Sequence, residues 1–207
     1  MKRIRTLSLV LIFSLLLCLT GCGDLKFKAV SSVKFLKTLS KIDAEYAQCI
    51  DECEEGMNFT KGEKSVFYNT FDKQQIADII GDTTCKEVKM LMSEPYENTK
   101  LTYMYLQFDE NQDAYDFFVS NWYDSVKDNK RKYDGTLEYD LNDTNGFIYF
   151  DCESKDITIS EGNILGGIYF AEDTVVAVIG NNSDKASRKL IFGAVEEMEY
   201  PFIKQKK

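Results

Sequence analysis

Histidine is absent from the 207 residues, and proline occurs only twice. Without histidine, Ser-His-Asp sites, Cys-His nucleophile sites and histidine-ligated metal sites are all excluded. Few prolines beside a 13% share of aromatic residues argue against a disordered chain. Lys and Arg number 25 against 34 Asp and Glu, giving a net charge of −9, the wrong sign for a nucleic-acid partner. The chain is therefore acidic, and its length predicts one domain with a sizeable core.

The N-terminal segment carries the most specific pattern in the chain. Three basic residues between positions 2 and 5 precede an apolar run over residues 7–19. This run is too short for a membrane-spanning helix, which needs about 20 residues. It ends in the sequence Leu-Thr-Gly-Cys, whose last residue is Cys22. Together, these features are typical of a segment that directs export.

The Leu-Thr-Gly-Cys sequence resembles the lipobox of bacterial lipoprotein precursors, and the resemblance covers residues 1–22. In that class the cysteine receives a diacylglyceryl group and the signal peptide is cut just before it. The resemblance implies a signal peptide over 1–21, lipidation at Cys22 and attachment to the extracytoplasmic face of the cell membrane. Two acyl chains anchor a protein firmly in the membrane, since each methylene buried in the bilayer contributes about 0.8 kcal/mol to binding. A non-lipidated secretory peptide and a retained N-terminal helix are the alternatives.

The mature chain divides into a tether, a domain and a tail. We predict a lipidated tether over 22–32, a single domain over 33–203 and a basic tail over 204–207. Cleavage removes three basic residues, so the mature charge is 22 − 34 = −12. Because no long polar spacer follows Cys22, we expect the domain to lie close to the bilayer. Lys26, Lys28 and the tail lysines either contact anionic headgroups or are solvated.

Apolar periodicity and capping residues predict four helices, over 33–53, 72–81, 109–126 and 183–198. In the last helix we expect Ala186, Leu190, Ala194 and Met198 to be buried. Seven segments predict strands, over 86–92, 99–108, 136–141, 147–152, 157–160, 164–170 and 174–180. Because short turns connect most strands, the sequence predicts an α+β fold, with three to four helices packed on a mainly antiparallel sheet.

Four cysteines besides Cys22 lie in the predicted domain: Cys49, Cys53, Cys85 and Cys152. Outside the cytoplasm this even number favours disulfides. Cys49 and Cys53 lie one helical turn apart, and the separation of their Cβ atoms, about 6 Å, is too long for a bond between them. Each would therefore pair with Cys85 or Cys152. Buried thiols, a zinc site and a redox dithiol are the alternatives, the last two lacking the usual two-residue spacing.

Metal and cofactor sites are not predicted. Asp140, Asn142, Thr144 and Asp151 occupy four ligand places of a calcium loop, but Asn145 stands where that loop needs glycine. Turn residues explain this segment equally well.

Tyrosines give the one positive indication of binding. Tyr103 and Tyr105 share one face of a predicted strand, and Tyr149 and Tyr169 lie on neighbouring strands. A tyrosine-lined sheet face binds a glycan or a protein by stacking and hydroxyl hydrogen bonds. The alternative is that helices cover this face.

The sequence thus favours a non-catalytic, membrane-anchored lipoprotein that serves in binding or envelope assembly. A transporter's solute-binding lipoprotein is one alternative, although 186 mature residues barely allow two lobes (207 − 21). An envelope enzyme that uses carboxylates or thiols is the other.

Overall fold

This computed structural model describes residues 26–52, 58–61, 64–71, 73–96, 99–156, 160–181 and 185–202. Within these residues, eight antiparallel strands form one sheet. Their spatial order is β1-β2-β3-β4-β8-β7-β6-β5. The strands are β1 (Asn58–Lys61), β2 (Lys64–Phe71), β3 (Cys85–Tyr96), β4 (Thr99–Phe108), β5 (Tyr133–Leu141), β6 (Asn145–Asp156), β7 (Ser160–Ala171) and β8 (Thr174–Asn181). With helices on both faces, the predicted α+β fold is confirmed.

Two strands of the sheet, β1 and β2, were not predicted from the sequence. In β2 three successive residues, Val66, Phe67 and Tyr68, are apolar, so the alternation that marks a half-buried strand is lost. The separate strand predicted over 157–160 falls largely outside the described residues, and Ser160 is instead the first residue of β7.

Three helices cover one face of the sheet, which we call the tyrosine face because Tyr68, Tyr103, Tyr105, Tyr149 and Tyr169 point to it. They are α1 (Ser32–Ile42), α2 (Ala44–Glu52) and α6 (Lys185–Glu197). The single helix predicted over 33–53 is wrong, because Asp43 interrupts it in an extended conformation. The Oδ1 atom of Asp43 accepts hydrogen bonds from the backbone N–H groups of Glu45 (2.8 Å) and Tyr46 (3.3 Å), which caps α2.

Helix α6 is rotated relative to the prediction. Its buried residues are Ser187, Ile191, Ala194 and Val195, followed by Met198 just after the helix. The predicted residues Ala186 and Leu190 are only half-buried. Two apolar rows, at steps of three and four, run along this helix, and the sequence does not distinguish the row that meets the sheet.

The opposite face, the phenylalanine face, carries Phe108, Phe150 and Phe170 under helices α3 (Lys73–Ile80), α4 (Asn111–Phe118) and α5 (Asp124–Asp128). A π-helical turn, Val119–Tyr123, joins α4 to α5, and a 3₁₀ turn, Lys130–Lys132, leads into β5. Both ends of α3 match the prediction closely, and Gly81 ends it with a φ of +74°. Within the described residues, no helix is long and apolar enough to cross a membrane.

Candidate functional site

The predicted binding tyrosines are buried. Tyr103, Tyr105, Tyr149 and Tyr169 are each at most 1% exposed, because α1, α2 and α6 pack across their face. Phe35 of α1, for example, lies 5.6 Å from Tyr105 between ring centroids. The prediction of an open tyrosine-lined surface is therefore wrong. Alternating strand residues give the side that a tyrosine faces, but the covering helices belong to distant segments of the chain.

The hydroxyl groups of the tyrosine face differ in their partners. Tyr46 and Ser93 share a buried hydrogen bond of 2.6 Å between their oxygens. The hydroxyl oxygens of Tyr149 and Tyr169 are buried and have no hydrogen-bond partner among the residues that the structure describes. Burial raises the pKa of Tyr149 to about 12 and holds the pKa of Tyr169 well above its ordinary value. These phenols therefore remain neutral and serve as packing groups at physiological pH.

The edge of the tyrosine face is held by an ion pair between α6 and β6. The terminal guanidinium nitrogens Nη1 and Nη2 of Arg188 donate to Oδ1 and Oδ2 of Asp151, at 3.1 and 3.0 Å. The Asp151 side chain is only 7% exposed, so this pair is desolvated and of the bidentate kind that fixes geometry. The Asp151 carboxylate therefore serves to hold α6 against β6.

The cysteines lie on opposite sides of the sheet. Cys49 belongs to the tyrosine face, whereas Cys85 and Cys152 belong to the phenylalanine face, and all three are buried thiols. The predicted disulfide between Cys49 and Cys85 or Cys152 is wrong, because the sheet separates these side chains. Cys53 lies outside the described residues. Burial raises the pKa of Cys85 and of Cys152 to about 11, so both thiols are protonated at neutral pH.

Polar side chains that could bind a metal ion instead form a turn at Asn142 and a buried ion pair at Asp156. The Oδ1 atom of Asn142 accepts hydrogen bonds from the backbone N–H groups of Thr144 (2.9 Å) and Asn145 (2.8 Å), forming a turn in the segment that resembled a calcium loop. Asp156 is fully buried, with the Tyr133 hydroxyl donating to it at 3.1 Å and the Lys132 ammonium 3.5 Å away. Across the described ranges, no three His, Cys, Asp or Glu side chains converge on a metal position.

The N-terminal segment joins the domain earlier than predicted. The Phe27 ring packs edge-to-face against Tyr200 and Tyr169, with centroid separations of 5.2 and 6.2 Å. Asn145 Nδ2 donates a hydrogen bond of 2.7 Å to the Phe27 carbonyl oxygen, and Val30 is buried. The packed domain thus includes residues that the sequence assigned to the tether 22–32. Phe27 between two lysines was the available signal, because a large aromatic residue has no role in a solvated spacer.

The described residues form accessible surface grooves, of which two are considered. One, of about 340 Å³, lies between β2, β3 and β4 and includes Phe67, Met92 and Thr102, with an exposed Lys100–Glu94 ion pair at 3.5 Å. We call it the Met92 groove. The other, of about 570 Å³, lies beside the π-helical turn and is lined mainly by acidic and small polar residues, among them Asp116 and Ser120. The sequence reasoning singled out neither groove.

Two solved structures are similar to this chain at low identity. The extracellular domain of PknH from Mycobacterium tuberculosis has 14% identity and a TM-score of 0.36, over 84% of this chain and 99% of that one. An uncharacterized protein, the Rv0999 ortholog from Mycobacterium smegmatis, has 11% identity and a TM-score of 0.32, over 77% of this chain and 96% of that one. Neither similarity is close enough to assign a function. No protein-family model and no curated protein matches the chain.

Proposed function

We propose that this chain is an extracytoplasmic lipoprotein, anchored to the cell membrane by a diacylglyceryl group on Cys22, whose domain is a non-catalytic binding or assembly module. The observation that carries the proposal is the N-terminal order of basic residues, apolar run and Leu-Thr-Gly-Cys. Each part has its own physical reason. The charges orient the segment, the short run engages the export machinery without spanning stably, and the cysteine supplies the nucleophilic sulfur for acylation.

The packing of the N-terminal segment supports an anchor close to the domain. Phe27 follows Cys22 by only five residues and is already fixed on the domain through its ring and its carbonyl oxygen. An acylated Cys22 would therefore hold a folded body near the membrane surface. A protein of this kind acts on partners within the envelope that it can reach by lateral diffusion.

The chemistry of the described residues supports binding over catalysis. The pKa of Cys85 and of Cys152, raised to about 11 by burial, leaves little thiolate for nucleophilic or redox chemistry. Asp151 and Asp156 face Arg188 and Lys132 respectively, whereas hydrolysis by paired carboxylates needs a second acid across the substrate. The Met92 groove offers an accessible surface of mixed character, with Phe67 and Met92 beside hydroxyl groups and the Lys100–Glu94 ion pair.

Acylation is tested with two cysteine variants in the native host. Cys22→Ser removes the proposed acylated sulfur, whereas Cys18→Ser changes a cysteine inside the apolar run and serves as the matched control. After growth with a clickable fatty acid, the parent and Cys18→Ser proteins should carry the label and lose residues 1–21. Cys22→Ser should carry no label. Equal labelling of Cys22→Ser and the parent would refute the proposal.

The binding role has its own test, in which the purified domain is heated with peptidoglycan fragments, oligosaccharides or envelope peptides. A ligand that occupies the Met92 groove should raise the melting temperature of the parent, and Met92→Asp should abolish that rise. Because Met92 is only 39% exposed and lies within β3, this substitution should itself lower the ligand-free melting temperature, so each rise is measured from the ligand-free value of the same protein. A rise of equal size in Met92→Asp would place the binding surface elsewhere, and the absence of any rise would contradict the binding role for these ligands.

A further inference from the structure

The phenylalanine face is more open toward one end of β3 and β4. Near the helices that pack on it, Val88 and Leu106 are at most 3% exposed. Farther along the same face, Met90 and Met104 are only half-buried, and Met92 is 39% exposed. Within the described residues, this face therefore has a covered part with branched side chains and a more accessible part that carries methionines.

Strand register brings these three methionines together. Met90 and Met104 are directly opposite each other on β3 and β4, an arrangement that places Cβ atoms about 5 Å apart. Met92 follows Met90 on the same face of β3, about 7 Å farther along, and is diagonal to Met104. Because a methionine side chain has three rotatable bonds, the three thioether sulfurs can meet above this surface. We call the three residues the methionine cluster.

The surroundings of the methionine cluster suit a soft ligand better than a hard one. Asn69 and Phe67 lie beside the cluster on β2, and Thr102 lies beside it on β4. The nearby carboxylate of Glu94 is paired with the ammonium group of Lys100 at 3.5 Å. Ca²⁺ takes six to eight oxygen ligands, several of them carboxylates, and gains little from these neutral or already paired groups.

The donor atoms of the cluster are soft, uncharged sulfurs. Thioether ligands select Cu(I) among the divalent and monovalent first-row metal ions, whereas imidazole suits Zn²⁺, Cu²⁺ and Ni²⁺. The chain has no histidine, and three of its six methionines lie in this one cluster. The adjoining Met92 groove gives an ion access to the sulfurs. Donor type, convergence and access thus all favour Cu(I).

We propose that the methionine cluster binds Cu(I), with the sulfur atoms of Met90, Met92 and Met104 as its ligands. This inference rests on the proposed binding role and deepens it, because it assigns a soft metal ion to the surface that borders the Met92 groove. It does not depend on acylation of Cys22. Methionine also fills irregular apolar gaps, so the property that distinguishes a site from packing is metal coordination by sulfur.

Silver binding followed by NMR tests the site, because Ag(I) shares the charge and the sulfur preference of Cu(I) and is stable in air. The protein is labelled with methyl-¹³C methionine, purified in detergent and titrated with silver nitrate. The methyl signals of Met90, Met92 and Met104 should shift together. The signal of Met198, which is buried on the tyrosine face, should stay in place. Three unmoved signals, or a shift confined to Met92, would overturn the proposed site.

Variants and pH separate ligation by thioethers from ligation by the thiols of the chain. Met92→Leu keeps an apolar side chain of similar size and should raise at least tenfold the silver concentration that half-shifts Met90 and Met104. Met198→Leu is the matched control and should leave this midpoint unchanged. A thioether has no proton to lose, so the midpoint should change less than twofold between pH 7.5 and pH 5.5, whereas a thiol would weaken binding about tenfold per pH unit. An unchanged midpoint in Met92→Leu, or the pH dependence of a thiol, would overturn the inference.

Failure of the metal site is distinguishable from failure of the proposed function. A protein that carries the acyl group and shows the groove-dependent rise in melting temperature, but no common methionine shift, would retain the proposed function and lose the copper site. A common shift that Met92→Leu weakens, in a protein without the acyl group, would support the copper site and overturn only the anchor.

Discussion

The two faces of the sheet are built from similar aromatic rings that differ by a hydroxyl group. One face buries Tyr103 and Tyr169 under α1, α2 and α6, and the other buries Phe150 and Phe170 under α3, α4 and α5. On both faces, large side chains are fully buried. The difference teaches that a tyrosine-rich strand does not imply an open binding surface, because the ring contributes burial energy even where the hydroxyl gains no hydrogen bond.

Buried ionisable groups should also make the stability of the protein depend on alkaline pH. On the tyrosine face, ionisation of a phenol requires charge in a buried site. The phenylalanine face buries two thiols, Cys85 and Cys152, beside the phenol of Tyr133, and burial raises the pKa of each of these groups. Because the ordinary pKa of a thiol lies below that of a phenol, the thiols should respond to alkali at lower pH than the buried tyrosines.

The largest expected effect is the loss of a whole ring from either face. Tyr105→Ala and Phe118→Ala each remove a side chain that is at most 1% exposed, and each should lower the free energy of unfolding by about 3–5 kcal/mol. Urea denaturation measures both. If Tyr105→Ala leaves stability unchanged while Phe118→Ala does not, the tyrosine face is open rather than covered.

A smaller effect should appear at high pH on the tyrosine face. Because burial raises the pKa of Tyr149 to about 12 and that of Tyr169 further, the unfolded chain ionises first, and stability falls as pH rises above about 10. At pH 11, the Tyr149 phenol lowers the free energy of unfolding by about 1.4 kcal/mol relative to neutral pH, and the Tyr169 phenol adds to that loss. The double variant Tyr149→Phe and Tyr169→Phe should recover that amount in urea titrations. An alkaline loss identical to that of the parent would contradict the burial of these phenols.

The thiols of the phenylalanine face should respond at lower pH. The pKa of Cys152, raised from 9.0 to about 11, makes the folded state lose stability as pH rises above 9. At pH 10, this one thiol lowers the free energy of unfolding by about 1.4 kcal/mol relative to neutral pH. Cys152→Ala should therefore lose less stability than the parent between pH 7 and pH 10, although the substitution itself lowers stability at both. Equal losses would mean that the thiol is exposed or bonded.

The smallest effect distinguishes two hydroxyls of the same face. Tyr46→Phe breaks the 2.6 Å hydrogen bond to buried Ser93 and should cost about 1 kcal/mol. Tyr169→Phe removes a hydroxyl that has no hydrogen-bond partner and should be neutral or slightly stabilising. Thermal melts of both variants provide the comparison, and the reverse order would show that Tyr169 has a partner in solution.

Local patterns predicted much of the fold. The alternation in β4 and the apolar run in β8 identified strands, and the capping residues around α3 located its ends, because these signals involve residues close in sequence. The break at Asp43 was hidden by an apolar stripe that continues across it, since both helices face the same sheet. The π-helical turn likewise has no sequence signature.

The candidate site depended more on distant contacts. Pairing of cysteines across the domain was inferred from number and spacing, whereas strand register sets the face of Cys85 and Cys152 and the packing of α2 sets that of Cys49. The tyrosine surface was inferred from tyrosines on individual strands, whereas its cover comes from helices near both ends of the chain. The proposed export and acylation at Cys22 rest on a local N-terminal pattern, so that proposal needs no tertiary information.

The intact mass of the protein extracted with detergent from membranes of its native host tests the central claim most directly. The account predicts a chain that begins at Cys22 and carries the added mass of a diacylglyceryl group. A chain that retains Met1, or one cleaved elsewhere without added lipid, would contradict it.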